Sequence, residues 1–238
     1  MTYRFPNPLS LLVVQLVLMV PVLFSFDKGT PLVFLCLGLV NLFWIARLDI
    51  RRFIRLVLPL STLSFGLFFM NLLFPAEGIN GLERGITIFL RSFTLICLSS
   101  GYILSISPYD LIRALMQNWH LSYRLGYSLF AGWNTIPLLR RDIELAQRAH
   151  EIRYAGRNGT SRSLTRLPIT ILSGAILHGE RLSISMAGRG LDKAKNRSFL
   201  YRLPWTMLDT WYCILTALLV VMLWTLLILN GSFIFDLG

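Results

Sequence analysis

An all-α polytopic membrane protein is what this sequence predicts, with about five transmembrane helices and two long amphipathic helices outside the bilayer. Three observations carry that prediction. Hydrophobic residues make up 55% of the 238, only 15% are charged, and the mean hydropathy is +0.61. A soluble domain of this size has to cover its surface with polar groups and rarely reaches such values. The apolar residues come in long unbroken runs and not in alternation, which excludes a transmembrane β-barrel. The formal net charge of +11 is also concentrated: fifteen arginines and lysines against six acids lie between Ser107 and Trp205. A basic patch on a soluble protein would suggest nucleic acid. In a membrane chain the same excess marks a cytoplasmic face beside anionic headgroups and an acidic protein partner, so no nucleic-acid partner is expected.

Each span follows from about 20 mostly apolar residues. The first runs from Leu9 to Phe26 with Pro21 inside it. It ends Phe24-Ser25-Phe26-Asp27 without a small-x-small cleavage signal, so it reads as a retained span. The second, Gly29–Ala46, is slightly short. The third covers Leu56–Phe74. The fourth covers Gly85–Ser107, with Arg91 near enough to one end to snorkel. The fifth is Trp205–Phe235, entered through Trp205, Trp211 and Tyr212. Arg47, Arg51 and Arg52 crowd the connection between the second and third spans, whereas Glu77, Glu83 and one arginine occupy the next connection. Positive-inside then places the first connection, the N-terminus and residues 108–204 in the cytoplasm of a multi-pass protein of the cell membrane. The expected organisation is four spans over 1–107, a cytoplasmic and interfacial region over 108–204, and a last span over 205–238.

Within the basic region Pro108 starts a helix with Asp110 in its first turn. Residues Leu125–Leu139 are apolar and aromatic but too few to span comfortably, which predicts an interfacial or re-entrant helix. A separate basic helix is expected from Arg140 to Ala155, broken by Gly156-Arg157-Asn158-Gly159. A second long helix is expected from about Ser163 to Gly190. There Leu164, Leu167, Ile171, Leu172, Ala175 and Ile176 recur at three- and four-residue steps.

Catalytic and metal chemistry have little to stand on. His120, His150 and His178 are too far apart for a helical metal pair, and Cys36, Cys97 and Cys213 sit in separate apolar runs as small hydrophobes. No Walker loop, G-x-S-x-G or HExxH occurs. Asp209 is a lone carboxylate near a helix end, so an intramembrane proton relay lacks its paired groups. No catalytic residue, metal ligand or cofactor site is assigned. Two segments remain: Ala146-Gln147-Arg148-Ala149-His150-Glu151 and Ser185-Met186-Ala187-Gly188-Arg189-Gly190. In the second, small flanks would let a partner approach a guanidinium fork closely. The alternative is that Gly190 caps a helix whose negative end Arg189 favours.

The order of spans, then Ser-Pro-Tyr-Asp-Leu-Ile-Arg-Ala-Leu (107–115), Ile136-Pro137-Leu138-Leu139-Arg140-Arg141-Asp142-Ile143, Ala146-Gln147-Arg148-Ala149, Gly188-Arg189-Gly190 and a last span resembles the transmembrane T component of energy-coupling factor transporters. The resemblance covers the whole chain and is strongest from about 107 to 197. It implies a non-enzymatic subunit that couples two ATPase subunits to a substrate-binding integral membrane subunit. The cargo implied is a vitamin, a vitamin precursor or a metal ion, and ATP hydrolysis would reside on the partners. In that family two cytoplasmic coupling helices each carry an Ala-Arg-Gly-type motif that docks on an ATPase. Gly188, Arg189 and Gly190 match the second motif, with glycine in place of alanine. Ala149, His150 and Glu151 take the place of the first, where His150 stands for arginine and Glu151 for glycine. Either Arg148 or Arg153 on neighbouring turns supplies the cation instead, or the chain belongs to a divergent branch of the family whose two ATPase sites are engaged unequally. A permease subunit of a conventional ABC importer is the alternative, since Gly156 and Leu167-Pro168 loosely echo its ATPase-docking loop. A membrane enzyme acting on lipid-linked substrates would need a clustered nucleophile, acid or metal site, and the sequence offers none.

Overall fold

The computed structural model describes residues 6–45, 49–75, 80–154, 167–191 and 199–229, and every regular element among them is helical. In chain order these are α1 (Pro8–Phe24), α2 (Gly29–Val40) continued by a π-helical turn (Asn41–Ile45), α3 (Ile50–Leu73), α4 (Gly81–Ser105), α5 (Pro108–Asn118), α6 (Tyr123–Tyr154), α7 (Leu167–Gly188) and α8 (Met207–Leu229). Three of them, α3, α4 and α8, are long and apolar enough to cross a membrane, and the apolar helices Pro8–Phe24 and Gly29–Phe43 are shorter. The chain is a polytopic membrane protein. Its residues group into two compact units, 1–114 with 203–238, and 115–202.

In the first unit the helices begin where local chemistry dictates. Pro8 occupies the first position of α1, and Asn7 caps it by accepting the Leu9 N–H at 3.1 Å. Asp49 does the same for α3 through the Arg51 N–H at 3.1 Å. Pro21 lies inside α1, which continues through it as one helix.

Interhelical contacts fix the direction of each span. Gln15 of α1 donates to the Leu98 carbonyl of α4 at 2.8 Å, and Arg91 of α4 reaches back to the Leu23 carbonyl near the end of α1. These two helices are therefore antiparallel. The Arg91 guanidinium also lies 5.1 Å over the Phe26 ring, so this arginine caps a helix end and stacks on an aromatic face. Thr94 donates to the Pro31 carbonyl at the start of α2, and farther along Gly38 faces Leu98 and Leu42 faces Gly101. That order makes α2 parallel to α4. Phe65 and Phe68 of α3 meet Phe89 of α4, while Asn71 lies against Gly81, an antiparallel hairpin.

The apolar interior is built from Leu11, Val14, Leu18 and Val22 of α1, Phe34 of α2, Leu98 of α4, and Tyr212 and Val220 of α8. A second cluster joins Phe53 and Val57 of α3 to Cys97 of α4. Glycine matters at one interface. A Cβ on Gly38 would stand 2.0 Å from Leu98 Cδ2, and one on Gly101 would stand 2.2 Å from Leu42 Cδ1. Each leucine thus fills the hole left by the other helix's glycine, the close approach that small residues permit between spans.

Asp209 is the largest departure from the sequence reading. It is fully buried and far from alone. Its Oδ1 accepts the Asn7 N–H at 2.9 Å and the Ser10 hydroxyl at 3.0 Å. Its Oδ2 accepts the Thr206 N–H at 3.0 Å and the Thr206 hydroxyl at 2.7 Å. Thr206 immediately precedes α8 and Asp209 is its third residue, the spacing of a capping box. The same carboxylate therefore starts α8 and staples the start of α1 to it. Asn7 Nδ2 adds longer contacts to the Leu203 and Pro204 carbonyls. A turn deeper, the Tyr212 hydroxyl donates to Asn41 Oδ1 at 2.9 Å, in the π-helical turn. The starts of α1, α3 and α8 and the ends of α2 and α4 consequently share one side of this unit.

The second unit corrects the sequence reading of its first half. Leu125–Leu139 and Arg140 onward are not separate helices; α6 runs unbroken for 32 residues through Pro137. Proline removes the ladder bond to the Trp133 carbonyl. The switch from apolar to basic composition at Arg140 changes what the helix faces, not its backbone preference, because Leu, Arg, Glu, Ala and Gln are all good helix formers. α6 packs on α7. Met116 is buried against Gly126, and Gln117 donates to the Tyr201 carbonyl at 2.7 Å. His120 ends the turn after α5 with φ at 53°, while the Leu121 N–H reaches the Leu115 carbonyl. The expected break at Gly156-Arg157-Asn158-Gly159, the start near Ser163 and the end of the last run beyond Leu229 lie outside the described residues.

Candidate functional site

α7 ends on the residues singled out in the sequence. The Arg189 N–H donates to the Ser185 carbonyl at 3.1 Å, the last regular bond of the helix. Gly190 then turns to φ +78°. Its N–H donates to the Ala187 carbonyl at 2.9 Å, and the Leu191 N–H to the Met186 carbonyl at 3.1 Å. This is a Schellman motif with Gly190 at the left-handed position, where a side chain would be strained. Arg189 occupies the C-cap, at the negative end of the helix dipole. The capping alternative drawn from the sequence is therefore correct for Gly190.

The helix end also suits the charge of Arg189, but capping does not account for Gly188. Gly188 is the last helical residue of α7, and a Cβ built there meets nothing within 4 Å. No contact among the described residues requires a glycine at that position. The Arg189 side chain is exposed and takes part in no ion pair among the described residues. The arrangement holds a guanidinium outward from a rigid helix end, with bare backbone on either side. Five N–H donors in a planar fork suit a carboxylate or a backbone carbonyl pair on a partner.

The other segment lies in the last turns of α6, which carries Arg148 to Arg153 in helical backbone up to Tyr154. Arg148 and Ala149 are exposed. The side-chain surroundings of His150, Glu151 and Arg153 lie outside the described residues, so the choice of cation for this segment rests on the sequence. Among the described residues no group of three His, Cys, Asp or Glu is placed to hold a metal ion, and the three cysteines are free thiols. Asp209, with four donors on its two oxygens, has a structural role. Sequence reasoning missed that role, although Thr206-x-x-Asp209 is a legible capping signal.

Comparison with known proteins adds two findings. The family described as CbiQ, cobalt transport protein, matches residues 4–200 of this chain. The energy-coupling factor transporter transmembrane protein EcfT of Exiguobacterium sibiricum is 24% identical over 90% of this chain and 89% of its own length.

Proposed function

We propose, starting from the fact that this chain belongs to the CbiQ cobalt transport protein family, that it links ATP hydrolysis on partner subunits to movement of cargo held by another membrane protein. It is a membrane subunit of an energy-coupling factor type transporter, and α6 and α7 serve as its two coupling helices. Arg189 anchors α7 to one ATPase subunit, and the last turns of α6, with Arg148, Ala149, His150, Glu151 and Arg153, engage the other. When nucleotide closes the ATPases, the two helices move as rigid bodies and reorient the substrate-binding subunit. The side of the spanning unit holding the starts of α1, α3 and α8 faces the cytoplasm of the cell membrane, because Arg51, Arg52 and Arg55 stand there. Hydrolysis belongs to the partners. Cargo recognition belongs to the separate binding subunit, and the family's name makes cobalt the first ion to try, ahead of vitamins and their precursors.

The observation that carries this reading is the end of α7: an exposed Arg189 beside a Gly188 that no contact among the described residues requires. The test is co-purification in mild detergent from cells expressing the chain with its candidate ATPases. Arg189→Glu is expected to reach the membrane at normal levels and to lose the ATPases. Recovery of the ATPases at wild-type levels with that variant would refute the role assigned to Arg189.

A further inference from the structure

We infer that the outer face of α3 is a binding site for an anionic phospholipid, with Arg51 and Arg55 on its phosphate and the apolar stripe below along its acyl chain. The inference does not depend on the coupling role of α6 and α7.

The placement of the residues comes first. Phe53 and Val57 are buried against α4, so the opposite side of α3 looks away from the protein. At 100° per residue Arg51, Arg55, Leu58, Thr62 and Phe69 fall on one stripe of that side, and all five are exposed. Leu58 is 67% exposed. The apolar length below the arginines, from Leu56 to Leu73, is about 27 Å, close to the hydrocarbon thickness of a bilayer. Arg51 and Arg55 therefore sit within about 8 Å of the core boundary, at headgroup depth.

The electrostatics give the stripe a preferred occupant. Two arginines four residues apart on one helix repel each other. Cations in the first turns of a helix also oppose its dipole. Asp49 relieves only one neighbour: its Oδ2 lies 3.5 Å from Arg52 Nε and its Oδ1 is spent on the Arg51 N–H. Asp209 is enclosed by its own donors, and Asp110, which follows the end of α4, pairs with Arg113 at 3.3 Å. No carboxylate among the described residues pairs with Arg51 or Arg55. A phosphodiester between the two guanidiniums removes both penalties at once.

The experiment uses the purified full chain in a neutral detergent, doped with phosphatidylglycerol, with phosphatidylcholine or with soluble glycerol phosphate. Lipid retention is read by native mass spectrometry and stability by the thermal midpoint. The wild type is expected to retain phosphatidylglycerol and to melt higher with it than with phosphatidylcholine. Arg51→Gln/Arg55→Gln is expected to bind it about thirty-fold more weakly, with no change toward phosphatidylcholine. Arg84→Gln, on the opposite side of the spanning unit, should behave as the wild type. If the glutamine pair fails to fold, Arg51→Lys/Arg55→Lys keeps the charge and should stay within about threefold of the wild type. A wild type that retains phosphatidylglycerol no better than phosphatidylcholine overturns the site without any variant. Equal binding by the glutamine pair overturns it too, and so does an equal rise in melting with soluble glycerol phosphate.

Discussion

Replacing Asp209 with alanine takes away the acceptor of four hydrogen bonds at once, to the Asn7 N–H, the Ser10 hydroxyl, and the Thr206 N–H and hydroxyl. Interhelical hydrogen bonds in membrane proteins average about 0.6 kcal/mol each, so the two that reach α1 set a floor of about 1 kcal/mol. A buried donor left without a partner costs about 1–3 kcal/mol. Both hydroxyls can rotate toward other acceptors, so only the two backbone N–H groups are charged at that higher rate. The expected loss is about 2–6 kcal/mol, and with the usual size scaling for a chain of this length the thermal midpoint falls by about 4–24 °C. The assay is thermal unfolding of the purified chain in detergent, with helix content checked by circular dichroism before heating. A double-mutant cycle sharpens it. Thr206→Val in the Asp209→Ala background should cost much less than Thr206→Val alone, because their shared bonds are already gone. A midpoint within about 2 °C of the wild type, or additive losses in the cycle, would refute the stapling role given to this carboxylate.

Other expectations can be checked on the same preparation. Gly101→Ala pushes a Cβ to 2.2 Å from Leu42 Cδ1; overpacking of about 1–3 kcal/mol outweighs about 1 kcal/mol of helix propensity gained. Leu42→Ala should then cost less in that background than in the wild type, as read by thermal melting. Gly190→Ala forces a Cβ into the left-handed region at φ +78° at about 1 kcal/mol, and the Leu191 amide should exchange with deuterium faster. His120→Gly removes the side chain from a left-handed turn and should raise the midpoint of the full chain by about 1–3 °C.

The parts of this fold written in local residue order were open to reading. Apolar runs located the spanning helices, because a bilayer demands length and hydrophobicity and little else, although α3 begins six residues before the expected Leu56 and α4 four before the expected Gly85. Pro108 announced α5, and Gly190 announced the end of α7, because a missing N–H and a missing Cβ act on their own turn. What stayed hidden depends on residues far apart in the chain. Asn7 and Asp209 are separated by 202 positions, and nothing in either neighbourhood names the other. The exchange of Gly38 and Leu98 with Leu42 and Gly101 exists only once α2 and α4 lie parallel. The division of α6 at Arg140 came from treating a change of surroundings as a change of backbone. Of the candidate site, the identity of Arg189 was legible. Its exposure and the open space beside Gly188 required the folded helix end.

At 17 residues, α1 measures about 25 Å from end to end, some 5 Å less than an ordinary hydrocarbon layer, and its outward residues Leu16, Val20, Leu23 and Phe24 are exposed. The apolar part of α3, Leu56 to Leu73, is about 27 Å long, so both helices fit a hydrocarbon layer slightly thinner than the usual ~30 Å. Acyl chains bordering them must compress a little. Since mismatch costs fractions of a kcal/mol per ångström, the thickness of the surrounding bilayer sets how comfortably this subunit is seated.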